Sequence, residues 1–177
     1  EAGKSLQALA EKAGIMVVTS YNAKGVIPET SRICAGMMGS WGHRTANRVV
    51  AQADLLLMLG ASMGPDYTRF RDPKMIRPGD QKLVQVDIDP RNAGWVYPVD
   101  LAITGDVADV LKMLEEIGLS KDKANARIEA GMDIKTRNSY FDIPNLPAAQ
   151  GTLHHTDLVR GLQEFLGPND ILALDAG

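Results

Sequence analysis

The stretch from residue 36 to residue 106 decides the fold of this 177-residue chain. It opens with Gly36-Met37-Met38-Gly39-Ser40-Trp41-Gly42 and continues into a helical pattern over residues 43–52. Three apolar runs follow, each ending at glycine, a small residue or aspartate, over residues 54–59, 83–88 and 101–104. Because the carboxyl ends of parallel strands in an open α/β sheet form one crevice, the stretch predicts a nucleotide-type fold with its ligand there.

The same alternation of strand and helix continues on both sides of this stretch. Residues 15–19 and 32–35 predict two short strands, and the run at residues 54–59 predicts a central strand because it lacks polar alternation. Asp106 precedes an amphipathic helix that Gly118 closes. We therefore expect a Rossmann-like, doubly wound α/β fold, with a mostly parallel sheet of about five to six strands and helices on both faces.

Composition changes twice towards the end of the chain. Residues 120–137 are highly charged and predict a surface helix, and the prolines and glycine of residues 141–151 indicate a linker. Thr156 is the expected cap of a last helix, and a strand is expected over residues 170–174. These features predict a central nucleotide-binding-like domain at 1–140, a linker at 141–155, and the start of another domain at 156–177. Since the chain starts at Glu1 and stops beside that strand, we expect both ends to be cut.

The composition excludes several classes of partner and of structural site. A charge of −3 without a basic patch argues against nucleic acid, and no apolar stretch approaches the 18 residues of a membrane span. Cys34 is the only cysteine, which excludes an internal disulfide framework and a cysteine-rich zinc site. We expect a cytoplasmic protein that binds neither nucleic acid nor membrane.

The glycine-rich turn at residues 36–42 allows two interpretations. Backbone N–H groups and the dipole of the following helix favour a phosphate, whereas the glycines alone would allow a tight turn. Further on, Arg69 and Arg71 could reach an anionic ligand or form local ion pairs.

The aspartates at the strand ends also have two possible roles. Asp87 and Asp89 lie on one side of a strand, where a carboxylate can bind a ribose, but Asp89 could equally cap the turn at Pro90. Asp106 is a helix cap by default and a crevice contact second. A metal is disfavoured, because no further acidic or histidine partner is near in sequence.

No reaction centre is visible in the sequence. His43, His154 and His155 are expected at helix starts, and Cys34 is expected to be a small buried residue without a basic partner nearby in sequence. No P-loop signature occurs. From the residues alone, this is a binding or scaffolding domain.

Seven motifs, in order, resemble the thiamine-diphosphate enzymes of the acetolactate synthase and pyruvate oxidase group. The segment from Thr19 to Glu29 resembles that group's "gKGvfpE" segment, and residues 36–47 resemble its "GmlGmhGt..An". The other matches are to "aDlvlalGa" at residues 53–61, "vDiDp" at 86–90, "ypvd" and "Gd" at 97–100 and 105–106, and "daivvtDvG" at 170–177.

The resemblance implies the middle domain of a 2-keto acid decarboxylase or carboligase, plus the start of its C-terminal diphosphate-binding domain. The parent would use thiamine diphosphate and Mg²⁺. A glutamate that activates the cofactor and a GDG motif that binds the metal and diphosphate would belong to its other domains, and the parent would form a homo-oligomer, a dimer or tetramer. It would be a transferase or lyase, and this fragment alone would be inactive. The alternative is a stand-alone nucleotide-binding or regulatory module.

Relatives with flavin imply a set of FAD contacts here, and other relatives leave the crevice empty or hold ADP. The corresponding residues are Gly39, Trp41, Gly42, Gly60, Ala61, Ser62, Asp87, Ile88, Asp89 and Asp106. Two positions depart from the flavin pattern: Ser62-Met63 replaces the arginine after "Ga", and Trp41 replaces the histidine of "mhG". We therefore expect the purified fragment to be colourless.

Overall fold

The structure is a computed structural model that describes residues 2–142 and 145–173. The chain divides into two compact units, Glu1–Tyr140 and Phe141–Gly177. Among the described residues, the elements of the first unit are α1 (Ala2–Ala13), β1 (Val17–Thr19), a 3₁₀ turn (Tyr21–Ala23), β2 (Cys34–Met37), α2 (Arg44–Gln52), β3 (Leu55–Leu59), β4 (Lys82–Asp87), β5 (Leu101–Thr104), α3 (Val107–Ile117) and α4 (Ala124–Arg137). The second unit holds α5 (His155–Phe165).

All paired strands run parallel, which confirms the predicted α/β class. β1 pairs with β2, with Val17 opposite Cys34. The order in the other sheet is β3-β4-β5, with Leu55 opposite Lys82. Hydrogen bonding thus divides the five described strands into sheets of two and three, where we expected one sheet.

The prediction that β3 is a central strand is wrong. β4 lies in the middle of the three-stranded sheet and buries Leu83 and Val86 completely. β3 lies at the edge, and Met58 is its one buried side chain. An unbroken apolar run signals low polarity on both faces but not the number of neighbouring strands.

The apolar core consists of two clusters in the first unit. One joins α2 to β3 and β4 through Val50, Met58 and Leu83. The other joins α1 and α4 to β1 and β2 through Ala10, Cys34 and other buried apolar side chains. The expected surface helix is therefore only partly correct, because α4 buries one face that includes Ile128 and Lys135.

Side-chain caps begin three of the helices that the structure describes. The ring Nδ1 of His43 accepts from Thr45 N at the start of α2, and Asp106 Oδ1 accepts from Ala108 N at 2.7 Å at the start of α3. Asp106 is thus the predicted cap. In the second unit His154, rather than the expected Thr156, caps α5, because its Nδ1 accepts from Thr156 N.

The expected strand near the chain end is not formed where the structure describes it. Residues 170–173 have no strand conformation, and Leu174 to Gly177 lie outside the described residues. Pro144 of the expected linker also lies outside them. Among the helices that the structure describes, none combines the length and apolarity needed to cross a membrane.

Candidate functional site

The glycine-rich loop, residues 36–42, connects β2 to α2. Gly39 N donates to Asn47 Oδ1 at 2.8 Å, and Asn47 Nδ2 returns a bond to Gly39 O at 3.0 Å. Ser40 N donates to Asp66 O at 2.8 Å in the loop after β3. These bonds occupy the backbone N–H groups of Gly39 and Ser40, which a phosphate bound at the loop would need as donors.

The end of the loop is also bonded within the domain. Gly42 N donates to Gly39 O at 3.2 Å, and His43 N donates to Met37 O at 2.7 Å. Because burial disfavours the charged ring, the pKa of His43 is lowered, with Glu29 opposing this shift. A neutral ring keeps a lone pair on Nδ1 for the cap.

Two glycines allow a close approach of backbone segments. Gly39 has φ = +111°, and a Cβ there would lie 2.3 Å from Asp66 O. A Cβ on Gly42 would lie 2.4 Å from Met37 O. The geometry therefore favours the tight-turn interpretation of the loop over a phosphate cradle.

A cavity of about 220 Å³ lies beside this loop, formed by the segments that follow β1, β2 and β3. Its lining consists of Tyr21, Met37, Met38, Trp41, Gly64, Pro65, Asp66 and Tyr67. Trp41 is 84% exposed, whereas Met38 is buried. Aromatic faces and thioethers together suit a planar ring of low polarity.

Sequence reasoning found only Trp41 among the residues of this cavity. Tyr21, Tyr67 and the two methionines were missed, although each follows or ends a predicted strand. An aromatic residue in the loop after a strand was the available signal. Two hydroxyls nearby in the chain, those of Thr19 and Thr45, are buried with no hydrogen-bond partner among the described residues.

The loop after β3 is held by side chains of the neighbouring strand and turn. Gly60 has φ = +59°. Gln85 Nε2 donates to Ala61 O at 3.0 Å, and Trp95 Nε1 donates to Ser62 O at 2.6 Å. A second, open depression is lined by Asp89, Arg91, Asn92 and Trp95.

The aspartates after β4 organise their own turn. Asp87 is buried, and its Oδ1 accepts from Asp89 N at 2.9 Å. Asp89 accepts from the Arg91 backbone N and guanidinium, and these hydrogen bonds lower the pKa of its carboxyl group. Ile88 between them is 73% exposed. The turn-capping role of Asp89 is therefore the one that the geometry shows.

The two arginines of the long loop have local partners. Arg69 Nε lies 3.7 Å from Asp72 Oδ2, and the Arg71 guanidinium lies 5.6 Å from the centre of the Tyr97 ring. Arg69, Phe70 and Arg71 all have positive φ, between 52° and 62°. Arg69 thus forms a local ion pair, as one of the two interpretations predicted, whereas Arg71 contacts an aromatic ring instead.

Comparison with known proteins gives the chain a family. Residues 1–114 match the model for the thiamine pyrophosphate enzyme central domain. The chain belongs to this family. The acetolactate synthase isozyme 1 large subunit of Escherichia coli (strain K12) is 31% identical over 174 residues, which cover 96% of the chain and 29% of that protein.

Other relatives of this thiamine pyrophosphate family carry two different names. The acetolactate synthase large subunit of Parasynechococcus marenigrum (strain WH8102) is 29% identical over 98% of the chain and 27% of its own length. The sulfoacetaldehyde acetyltransferase of Alcaligenes xylosoxydans xylosoxydans is 30% identical over 71% of the chain and 22% of its own length. The chain thus spans less than a third of each of these relatives.

The family match covers the whole candidate site. Every residue that lines the cavity lies within residues 1–114, as do the predicted crevice positions up to Asp106. The structure brings Trp41 to the cavity with Gly39 and Gly42 in the same loop, and it places the Gly60 and Asp87 segments at the ends of adjacent strands. Within the described residues, no group of three metal-ligating side chains forms.

One buried cluster was not anticipated. Cys34 is fully buried as predicted, but Lys135 Nζ donates to the Cys34 carbonyl oxygen at 2.7 Å. The basic neighbour is distant in sequence and so could not be found there. The Tyr140 ring lies against the same cluster, and burial raises the pKa of its hydroxyl group.

Proposed function

We propose that this chain is the non-catalytic central domain of a thiamine-diphosphate-dependent 2-keto acid decarboxylase or carboligase of the acetolactate synthase type. The family match over residues 1–114 carries this proposal. In the parent, thiamine diphosphate with Mg²⁺ would supply the electron sink for the carbanion formed from the 2-keto acid. This domain supplies packing surfaces and a ligand crevice. We propose a dimeric or tetrameric parent; the relatives named as large subunits support assembly with other subunits.

The parent activity is tested with the intact protein. We expect it to consume 2-keto acids only when thiamine diphosphate and Mg²⁺ are both present, and the 177-residue chain alone to be inactive under the same conditions. A parent without a GDG-type motif within about one domain length after Gly177 would contradict the proposal. It would favour the alternative of a stand-alone nucleotide-binding module.

For the crevice, we propose a nucleotide-type ligand, FAD or ADP, whose planar ring stacks in the cavity beside Trp41. The cavity volume of about 220 Å³ and its aromatic and methionine lining support a ring there. The occupied N–H groups of Gly39 and Ser40 argue against placing the phosphates on the glycine-rich loop. Recognition would then depend on stacking more than on charge.

Calorimetric titration with ADP and with FAD tests this ligand proposal. The purified chain should be colourless, and added ADP should bind saturably. Trp41→Ala should weaken binding about tenfold or more, since stacking of one base contributes roughly 1–3 kcal/mol. Phe70→Ala is the matched control, because Phe70 is 74% exposed but does not line the cavity. A flavin spectrum that survives dialysis would contradict the expected colour, and equal losses in both variants would contradict stacking on Trp41.

A further inference from the structure

Lys135, in the last turn of α4, is a lysine with no exposed surface. Its ammonium group donates to Ser31 O at 2.9 Å and to Cys34 O at 2.7 Å. An ammonium group that leaves water is costly, and burial lowers the pKa of Lys135 accordingly. An apolar residue would fill this position without that cost, so the two carbonyl contacts indicate a specific task. They hold the turn that leads into β2.

Tyr140 extends the contact of Lys135 towards the glycine-rich loop. The Lys135 ammonium lies 4.4 Å from the centre of the Tyr140 ring, within the range of a cation–π contact. The Tyr140 hydroxyl donates to Glu29 O at 3.3 Å. At Gly36, where φ is +85°, a Cβ would lie 3.1 Å from the Tyr140 ring, so this glycine lets the ring pack directly on the backbone.

The Tyr140 ring also meets the other end of the loop. It packs edge-to-face with His43, with ring centres 5.0 Å apart. His43 caps α2 through Nδ1 and bonds Met37 O through its backbone N–H. Gly36, the first residue of the loop, and His43, which follows its last residue, therefore both lie against the Tyr140 ring. Between them lie Met37, Met38 and Trp41 of the cavity.

We propose that Lys135 and Tyr140 form a positioning pair that sets the geometry of the glycine-rich loop and thereby of the ring-binding cavity. Neither residue lines the cavity. Lys135 fixes the turn before β2, Tyr140 fixes Gly36 and His43, and the loop between these points has little freedom to shift. The pair is a specificity device for the ligand and rests on the ligand proposed above.

Fluorine NMR of the 177-residue chain, with both tryptophans replaced biosynthetically by 5-fluorotryptophan, tests the pair without a ligand. The chain has two tryptophans, Trp41 in the loop and Trp95 outside it, and Trp95→Phe assigns the two signals. We expect Lys135→Met and Tyr140→Leu to shift or broaden the Trp41 signal and leave the Trp95 signal in place. Tyr140→Phe, which keeps the ring, should retain the wild-type signal. ADP dissociation constants should rise tenfold or more in the first two variants and stay within threefold in the third.

Two controls separate positioning from loss of stability. Lys112→Met removes an exposed lysine from α3 and should change neither signal. Leu111→Ala removes a buried side chain of α3, which packs against α1 and β4, and lowers stability. If Leu111→Ala moved the Trp41 signal as much as Tyr140→Leu does, general destabilisation would explain the result and the positioning pair would be refuted.

The remaining outcomes distinguish this inference from the proposed function. If Lys135→Met does not fold, the contrast between Tyr140→Leu and Tyr140→Phe decides. If Trp41 keeps its wild-type signal in Tyr140→Leu, the pair has no positioning role. If the wild-type chain binds neither ADP nor FAD but the Trp41 signal still moves as expected, the ligand proposal fails and the positioning pair stands.

Discussion

Gln81 shows how much one buried amide can organise. It is 1% exposed, and its Nε2 donates to Val50 O and Ala53 O, both at 2.8 Å, at the end of α2. Its Oε1 accepts from Arg77 N at 2.7 Å. One side chain therefore satisfies two carbonyl groups at a helix end and one N–H of the long loop.

Gln81→Leu should lower the free energy of unfolding by about 2–4 kcal/mol, because the backbone groups of Val50, Ala53 and Arg77 each lose a hydrogen bond in a buried or partly buried setting. Urea denaturation monitored by circular dichroism measures the change. Gln52→Leu, at an exposed position of α2, is the control and should stay within about 0.5 kcal/mol of wild type. Equal midpoints for wild type and Gln81→Leu would show that water replaces these bonds.

The cap residue His43 makes the free energy of unfolding depend on pH, in a direction that follows from its lowered pKa. Its pKa in the folded chain lies below the ordinary value of 6.5. The unfolded chain therefore binds a proton more readily, and the contribution of His43 is fully present above pH 6.5 and is lost as the pH falls below it. His43→Asn keeps a capping acceptor but does not titrate. Denaturation series from about pH 8 to about pH 5 should show a steeper loss for wild type than for this variant, and parallel curves would contradict the assignment.

At the scale of elements, the glycine-rich loop depends on glycine, which has no side chain, at its tight positions. Gly39→Ala places a methyl group against Asp66 O and requires an unfavourable φ, so unfolding should become easier by about 2–4 kcal/mol. Gly105→Ala is the control, since a Cβ added at Gly105 would meet no described atom within 4 Å. Thermal denaturation compares the two variants. A Gly39→Ala chain as stable as Gly105→Ala would mean that the loop moves away from residues 64–67 without cost.

Local signals in the sequence predicted which helices and strands form better than they predicted how these elements pack against one another. The cap at Asp106, the buried state of Cys34 and the parallel α/β class follow from patterns within a few residues or from alternation along the chain. The order of strands, the division into two sheets and the burial of Lys135 depend on contacts between distant segments. The charge of Lys135 made α4 look solvated, because a sequence does not show that two distant carbonyl groups accept from that ammonium group. For the site, the sequence located the loop and Trp41 but not the cavity, whose walls come from three separate connections.

At the scale of the whole molecule, the segment of residues 145–153 differs from the first unit in its burial and secondary structure. Residues 145–153 are all exposed and form neither helix nor strand, in contrast to the buried clusters of the first unit. Exposed segments of this kind are the preferred sites of proteolysis.

Brief digestion with thermolysin should therefore cut first beside Leu153, which is exposed. Mass spectrometry should detect a product that retains residues 1–140. An earlier cut inside residues 2–140 would show that the first unit opens more readily than the segment that follows it.

The bonds of Lys135 carry a consequence for biosynthesis. They join residues 101 and 104 positions apart, so α4 reaches Cys34 and Ser31 only after most of the first unit has been made. Closing so long a loop is entropically unfavourable until the intervening chain has folded. On the ribosome, β2 and the glycine-rich loop emerge well before α4, and we expect the cavity beside the loop to be among the last features of the nascent domain to form.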